Sequence, residues 1–204
     1  MKVGILALQG AFVEHGDILE KLGAEVRYVR LAEQLDGLDA VVIPGGESTT
    51  IGLLLRETGL HAPLKALGAQ GLPLFGTCAG LIVLARRVSG LGYDTLGLLD
   101  VDVERNAFGR QVDSFETDLS IEGLAGPAFR GVFIRAPKIS REGQSVEVLA
   151  RLEDGTVVAV RQGNILAAAF HPELTDDPRL HGFFLDIVSV RAASASRETT
   201  PAAH

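Results

Sequence analysis

Hydrophobic and polar positions follow two regimes along this chain. Residues 3–8 form a continuous apolar run, the pattern of a strand covered on both faces in a parallel sheet. Phe12, Ile18, Leu19 and Leu22 then recur at helical spacing over 11–22, and Gly23 supplies a stop. Further strands are predicted at 25–29, 39–43 and 72–75, with Pro44-Gly45-Gly46 breaking the third. Helices are predicted over 48–56, with Glu47 and Ser48 as capping residues, and over 81–86. This alternation predicts an α/β domain, a three-layer, doubly wound, mostly parallel sheet that binds ligands at the C-terminal ends of its strands.

From residue 98 onward the pattern turns β-rich, with segments at 98–105, 114–121, 131–135, 146–153, 156–161 and 165–170. The turns Glu153-Asp154-Gly155 and Gln162-Gly163-Asn164 separate the last three, which predicts antiparallel β additions joined as hairpins. A closing helix is expected over 178–190. The small and polar residues 191–204 read as a disordered tail, which leaves residues 1–190 as one domain. No repeat or linker divides the chain.

Composition narrows the classes. At 204 residues and 47% hydrophobic content the chain is long enough for one substantial core. Its net charge of −7, with no cluster of Lys and Arg, argues against a nucleic-acid partner. The N-terminal apolar run is too short for a signal peptide, and polar Gln9, Glu14 and His15 follow it. No stretch is long enough for a membrane span. One cysteine excludes an internal disulfide and fits a cytoplasmic, reducing setting.

That cysteine carries the chemistry. Cys78 lies in Gly76-Thr77-Cys78-Ala79-Gly80, between a strand and a helix. This is a nucleophile elbow with sulfur in place of oxygen, and the helix start favours the thiolate. A lone cysteine is more often inert packing; its setting here reverses the odds. Among five histidines, His171 ends an apolar strand and is followed by Pro172-Glu173. The residue before a proline is held extended, so Glu173 and His171 point the same way and the carboxylate orients the ring. Taken alone, His-Pro-Glu would be a strand-end histidine with a solvated carboxylate; beside a cysteine elbow it completes a triad. The Ala79 N–H and one from the Gly45-Gly46 loop, where glycine permits positive φ, suit an oxyanion hole. The run 46–50 lacks the ending of a phosphate loop, no Gly-x-Gly-x-x-Gly closes a strand, and no histidines have zinc-ligand spacing. Neither a cofactor nor a metal is indicated.

With Cys78, His171 and Glu173 in place, the chain resembles the class I glutamine amidotransferases, flavodoxin-like glutaminases with a Cys-His-Glu triad. Six blocks, Leu6-Ala7-Leu8-Gln9-Gly10-Ala11 with Glu14-His15, Pro44-Gly45-Gly46-Glu47-Ser48-Thr49-Thr50, Gly76-Thr77-Cys78-Ala79-Gly80-Leu81-Ile82, Arg105-Asn106-Ala107-Phe108-Gly109-Arg110-Gln111, Phe133-Ile134-Arg135-Ala136-Pro137 and Phe170-His171-Pro172-Glu173-Leu174, resemble the glutaminase-subunit family of pyridoxal 5′-phosphate synthases. The Gly-Gly-Glu-Ser-Thr-Thr and Arg-Asn-Ala-Phe-Gly-Arg-Gln blocks single out that family. The resemblance implies hydrolysis of L-glutamine to glutamate and ammonia. It also implies delivery of the ammonia to a (β/α)8-barrel synthase subunit within a hetero-oligomeric complex. By matching position it implies glutamine contacts from Gly46, Glu47, Ser48, Arg105, Ile134 and Arg135. Gly46 and Ala79 become the oxyanion donors, and Gln9, Gly10, Glu14 and His15 a segment facing the synthase.

Arginine suits an α-carboxylate and Glu47 suits either the α-ammonium or the order of its loop, although surface solubility would explain Arg105 and Arg135 equally well. Three rivals stand beside this reading: a glutaminase serving another synthase, such as that for imidazole glycerol phosphate; a cysteine hydrolase on a similar fold; and a catalytically silent module.

Overall fold

A computed structural model describes residues 1–105 and 114–198. In chain order the elements are β1 (Lys2–Leu6), α1 (Phe12–Lys21), β2 (Glu25–Val29), β3 (Ala40–Ile43), α2 (Ser48–Glu57), α3 (His61–Ala69), β4 (Leu74–Thr77), α4 (Ala79–Leu84) and β5 (Ala85–Val88). There follow β6 (Leu99–Glu104), β7 (Ser114–Leu119), β8 (Phe129–Ile134), β9 (Lys138–Glu142), β10 (Glu147–Arg151), β11 (Val157–Gln162), β12 (Ile165–Ala168) and α5 (Arg179–Glu198). Short 3-10 turns cover Ala32–Leu35 and Pro172–Leu174.

Among the described residues one sheet runs in the order β2-β1-β3-β4-β12-β11-β9-β6-β5, with β10 added beside β11. The strands from β2 to β12 are mutually parallel, and antiparallel pairing begins where β12 meets β11. Every residue of β3, β4 and β12 is buried, which is why these segments are continuously apolar or small. The hairpins joining β10, β11 and β12 are those the two glycine turns predict.

Boundaries moved where tertiary pairing decided them. The strand expected over 72–75 occupies Leu74–Thr77, set by its parallel register with β12 from Ile165↔Leu74 to Ala168↔Thr77. The helix expected over 81–86 starts at Ala79 and stops at Leu84, and Ala85–Val88 pairs with β6 instead. There Arg86 meets Asp100 at 3.0 Å, so its charge is satisfied on a strand rather than in a last helical turn. The pattern missed α3, whose only buried residue is Leu64, and β9, whose only buried residue is Ile139. Short elements with one inward side chain leave almost no periodic signal. The closing helix passes the expected end at 190 and reaches Glu198, so the tail read as disordered from 191 is helical over the described part. The alanines at 192, 193 and 195 favour continuing a helix already nucleated. No helix among the described residues is long and apolar enough to cross a membrane.

Candidate active site

Parallel pairing of β1, β3, β4 and β12 brings four strand ends to one edge, carrying Gln9, the Gly45–Ser48 loop, Cys78 and His171. Cys78 follows β4 with φ 48° and ψ −101° and serves as the N-cap of α4. A non-glycine residue in that region stores about 1–3 kcal/mol of strain, which the packing around it must hold. That packing is tight: a Cβ on Gly80 would run into the carbonyl oxygen of Ile43, and one on Gly76 into the backbone of Gly80. Small residues are therefore required at both ends of the elbow. All six residues of α4 are buried, so it accepts no polar side chain on any face.

His171 and Glu173 come together as expected, with Nδ1 2.7 Å from Oε1. The geometry differs in one respect. Only His171 is near-extended, at φ −107° and ψ 86°, while Glu173 sits in the 3-10 turn that Pro172 begins. Both are buried, and Cys78 is 6% exposed. Burial pulls the imidazole pKa down, but hydrogen bonding to Cys78 and Glu173 outweighs it and lifts His171 to about 10. Cys78 Sγ also lies 4.0 Å from the carbonyl oxygen of Ile134.

The Gly45-Gly46 loop is glycine for closeness, not for conformation. Neither residue has a positive φ, contrary to the sequence expectation. A Cβ on Gly45 would strike the His171 ring, and one on Gly46 would strike the Gln9 amide. Gly45 N–H donates to Thr77 Oγ1 at 3.0 Å, and Glu47 N–H donates to Gln9 Oε1 at 2.6 Å. Between them, Gly46 N–H has no internal acceptor among the described residues. Ala79 opens α4, so its N–H is one of the unpaired donors of a helix start.

These parts enclose a cavity of about 300 Å3 lined by Gln9, Gly46, Glu47, Ser48, Cys78, Ala79, Ile82, Arg105, Ile134, Arg135 and His171. Each expected glutamine contact reaches it. Glu47 is the N-cap of α2, taking hydrogen bonds from Thr49 N–H at 3.0 Å and Thr50 N–H at 2.7 Å. Burial would raise its pKa, but these bonds dominate and lower it to about 2. Its carboxylate also lies 3.5 Å from Arg105 Nη2, so it orders the loop and one cavity arginine together. Arg135 adopts φ 43°, a second strained non-glycine residue on the cavity wall. Residues 106–111 of the Arg-Asn-Ala-Phe-Gly-Arg-Gln block lie outside the described residues.

The segment expected to face a partner divides. Gln9 is a cavity wall and holds the loop. Gly10 and Glu14 are exposed. His15 is 0% exposed and faces inward, because α1 packs that side on the sheet and on α5, so it is no part of the exposed surface. Sequence reasoning also passed over Ile82, Thr77 and His181. The last two touch His15, at 3.1 Å from Thr77 Oγ1 and 2.8 Å from His181 Nε2. Nothing in their spacing marks them, since the contacts join residues 62 and 166 positions apart.

A parallel α/β sheet with a strained cysteine elbow on one strand end and a histidine–carboxylate pair on the next has the architecture of a class I glutamine amidotransferase. The chain belongs to the SNO glutamine amidotransferase family, whose family model matches residues 5–190. It is 61% identical over 186 residues to the pyridoxal 5′-phosphate synthase subunit PdxT of Pelotomaculum thermopropionicum, covering 91% of this chain and 94% of that protein. The PdxT of Thermus thermophilus is 59% identical over 192 residues, covering 92% and 98%. A crystal structure of a glutamine amidotransferase superposes with a TM-score of 0.87 at 55% identity, over 92% of this chain and 98% of that one. A chain in the structure of PurLQS from Thermotoga maritima shares the fold alone, with a TM-score of 0.64 at 17% identity over 91% and 97%.

Proposed function

We propose that the chain is the glutaminase subunit of a pyridoxal 5′-phosphate synthase, hydrolysing L-glutamine and passing ammonia to a (β/α)8-barrel synthase subunit. The observation that carries the hydrolysis is the placing of Cys78, His171 and the Gly46 loop around one cavity with two arginines. The observation that carries the partner is the identity to PdxT subunits over nearly the whole chain. That identity also disfavours a glutaminase for another synthase, an unrelated cysteine hydrolase and a silent module.

The Cys78 thiolate, paired with the imidazolium of His171, attacks the side-chain amide carbon of glutamine. The oxyanion is held by the N–H groups of Gly46 and Ala79, which have no internal acceptor among the described residues to give up. His171 donates its proton to the departing ammonia as the thioester forms. It then takes a proton from water, and the resulting hydroxide attack releases glutamate and returns the thiolate. Glu173 holds the ring in one orientation and stabilises its charged form. Arg105 and Arg135 take the α-carboxylate, while Glu47 holds the loop and Arg105 in place. Gly10 and Glu14, exposed beside the strand ends, face the synthase subunit, and the reduced thiol suits a cytoplasmic setting.

The test is glutaminase activity with and without the barrel subunit, together with pyridoxal 5′-phosphate formation from glutamine. Low activity alone and strong activation in the complex are expected. Turnover that ignores the barrel, or pyridoxal phosphate formation that ignores glutamine, overturns the assignment.

A further inference from the structure

Behind the triad lies a polar chain in an apolar core. His15 on α1 and His181 on α5 are both fully buried, and Phe75 stands edge-on to each ring at 6.1 and 5.6 Å. His181 Nε2 lies 2.8 Å from His15 Nδ1. The other nitrogen of His15, Nε2, lies 3.1 Å from Thr77 Oγ1 and 3.3 Å from Glu173 Oε2. Glu173 Oε1 is already committed to His171 at 2.7 Å. Glu173 Oε2 makes no well-formed hydrogen bond among the described residues, so the edge of His15 is the polar group that stands against it.

The carboxylate fixes the direction of the chain. An ionised Glu173 only accepts, so the carboxylate favours a proton on the His15 nitrogen beside it. Neutral His15 then offers a bare Nδ1, and His181 must donate to it from Nε2–H. That leaves His181 Nδ1 without a proton, in agreement with its lack of a partner among the described residues, since a bare ring nitrogen is easier to leave unpaired than an N–H. The reverse direction would let the Thr77 hydroxyl donate to Nε2, but it would aim a lone pair at the carboxylate and strand the buried Nδ1–H of His181. Thr77 Oγ1 joins the chain to the Gly45 N–H, one residue from Cys78. Burial, and after it the neighbouring His181 and His171, keep His15 well below 6.5, and burial lowers His181 to about 4, so both stay neutral.

We propose that His15, held in its Nε2–H tautomer by His181, is a positioning residue that orients the second oxygen of Glu173 and thereby the imidazole that serves Cys78. A pair of apolar side chains would fill the same space without the cost of desolvating two imidazoles. What the histidines add is a fixed dipole behind the carboxylate of the triad, of the kind that supports ligating and catalytic groups from behind. The inference rests on the triad reading given above.

Two measurements test it apart from that reading. The first is the imidazole ¹⁵N spectrum of the wild-type chain from pH 5 to 9; both rings are expected neutral and Nε2-protonated, and an Nδ1–H tautomer or a charged ring overturns the proposal. The second compares His15→Phe with His15→Gln, whose amide keeps a donor near the Nε2 position. His15→Phe is expected to lower kcat for glutamine in the complex about 10–100-fold with KM within twofold. It is also expected to change the pH profile of Cys78 alkylation by iodoacetamide, because the imidazole that serves the thiol is no longer held. His15→Gln is expected to restore most of both. An unchanged profile in folded His15→Phe, or equal loss in both variants, overturns the proposal. Alkylation needs no glutamine, so a wild type without glutaminase activity but with a His15-dependent profile would fail the function and leave the positioning role standing.

Discussion

Nδ1 of His171 lies 2.7 Å from Oε1 of Glu173, and the proline between them is what lets two residues so close in sequence meet side by side. Pro172 fixes its own φ and restrains the residue before it, so the chain leaves β12 nearly extended and turns at once into a 3-10 turn.

Replacing Cys78 by Ala is expected to remove glutamine turnover by more than about 10³-fold while the melting temperature changes little, since alanine keeps the small volume and the same strained backbone. Activity assay and thermal unfolding check it together. A glutamine-analogue electrophile labels the wild type at this residue and leaves the variant unlabelled; retained turnover would falsify the nucleophile.

Gly45→Ala puts a methyl group against the His171 ring. Shifting the loop or the ring to make room costs about 1–3 kcal/mol. The misplaced imidazole lowers kcat about 100-fold or more. Urea unfolding and steady-state kinetics read the two effects, and a variant with wild-type kcat would show that the loop does not set the ring's position.

Arg135→Gly separates strain from binding. Glycine accepts the φ of 43° freely, so the melting temperature is expected to rise by about 2–4 °C. Loss of the guanidinium is expected to raise KM for glutamine about tenfold or more. A stability gain with unchanged KM would remove Arg135 from the substrate site.

The buried histidines give stability a pH slope. Unfolded histidines bind protons near pH 6.5, but burial makes His181 resist protonation down to about 4 and lowers His15 well below 6.5 as well. Between those values the unfolded chain binds more protons than the folded one. Stability therefore rises with pH, by up to about 1.4 kcal/mol per unit for each histidine. Denaturation of the wild type and of His181→Phe from pH 4 to 7 should show a shallower slope in the variant; equal slopes would mean that His181 titrates alike in both states.

The parallel strands, the elbow at Cys78, the His171–Glu173 pair and the cavity-lining residues other than Gln9, expected to face a partner, and Ile82 were legible along the chain. Their causes are local: continuous apolar runs mark strands covered on both faces, small residues mark the elbow, and proline couples positions 171 and 173. Packing between distant segments set β9, the early end of α4 and the close approach that makes Gly45 and Gly46 necessary. It also turned His15 inward, onto His181 and Glu173, where the family resemblance implied that it faces a partner. A contact between residues 166 positions apart leaves no pattern in the chain, because packing rather than spacing brings the two rings together.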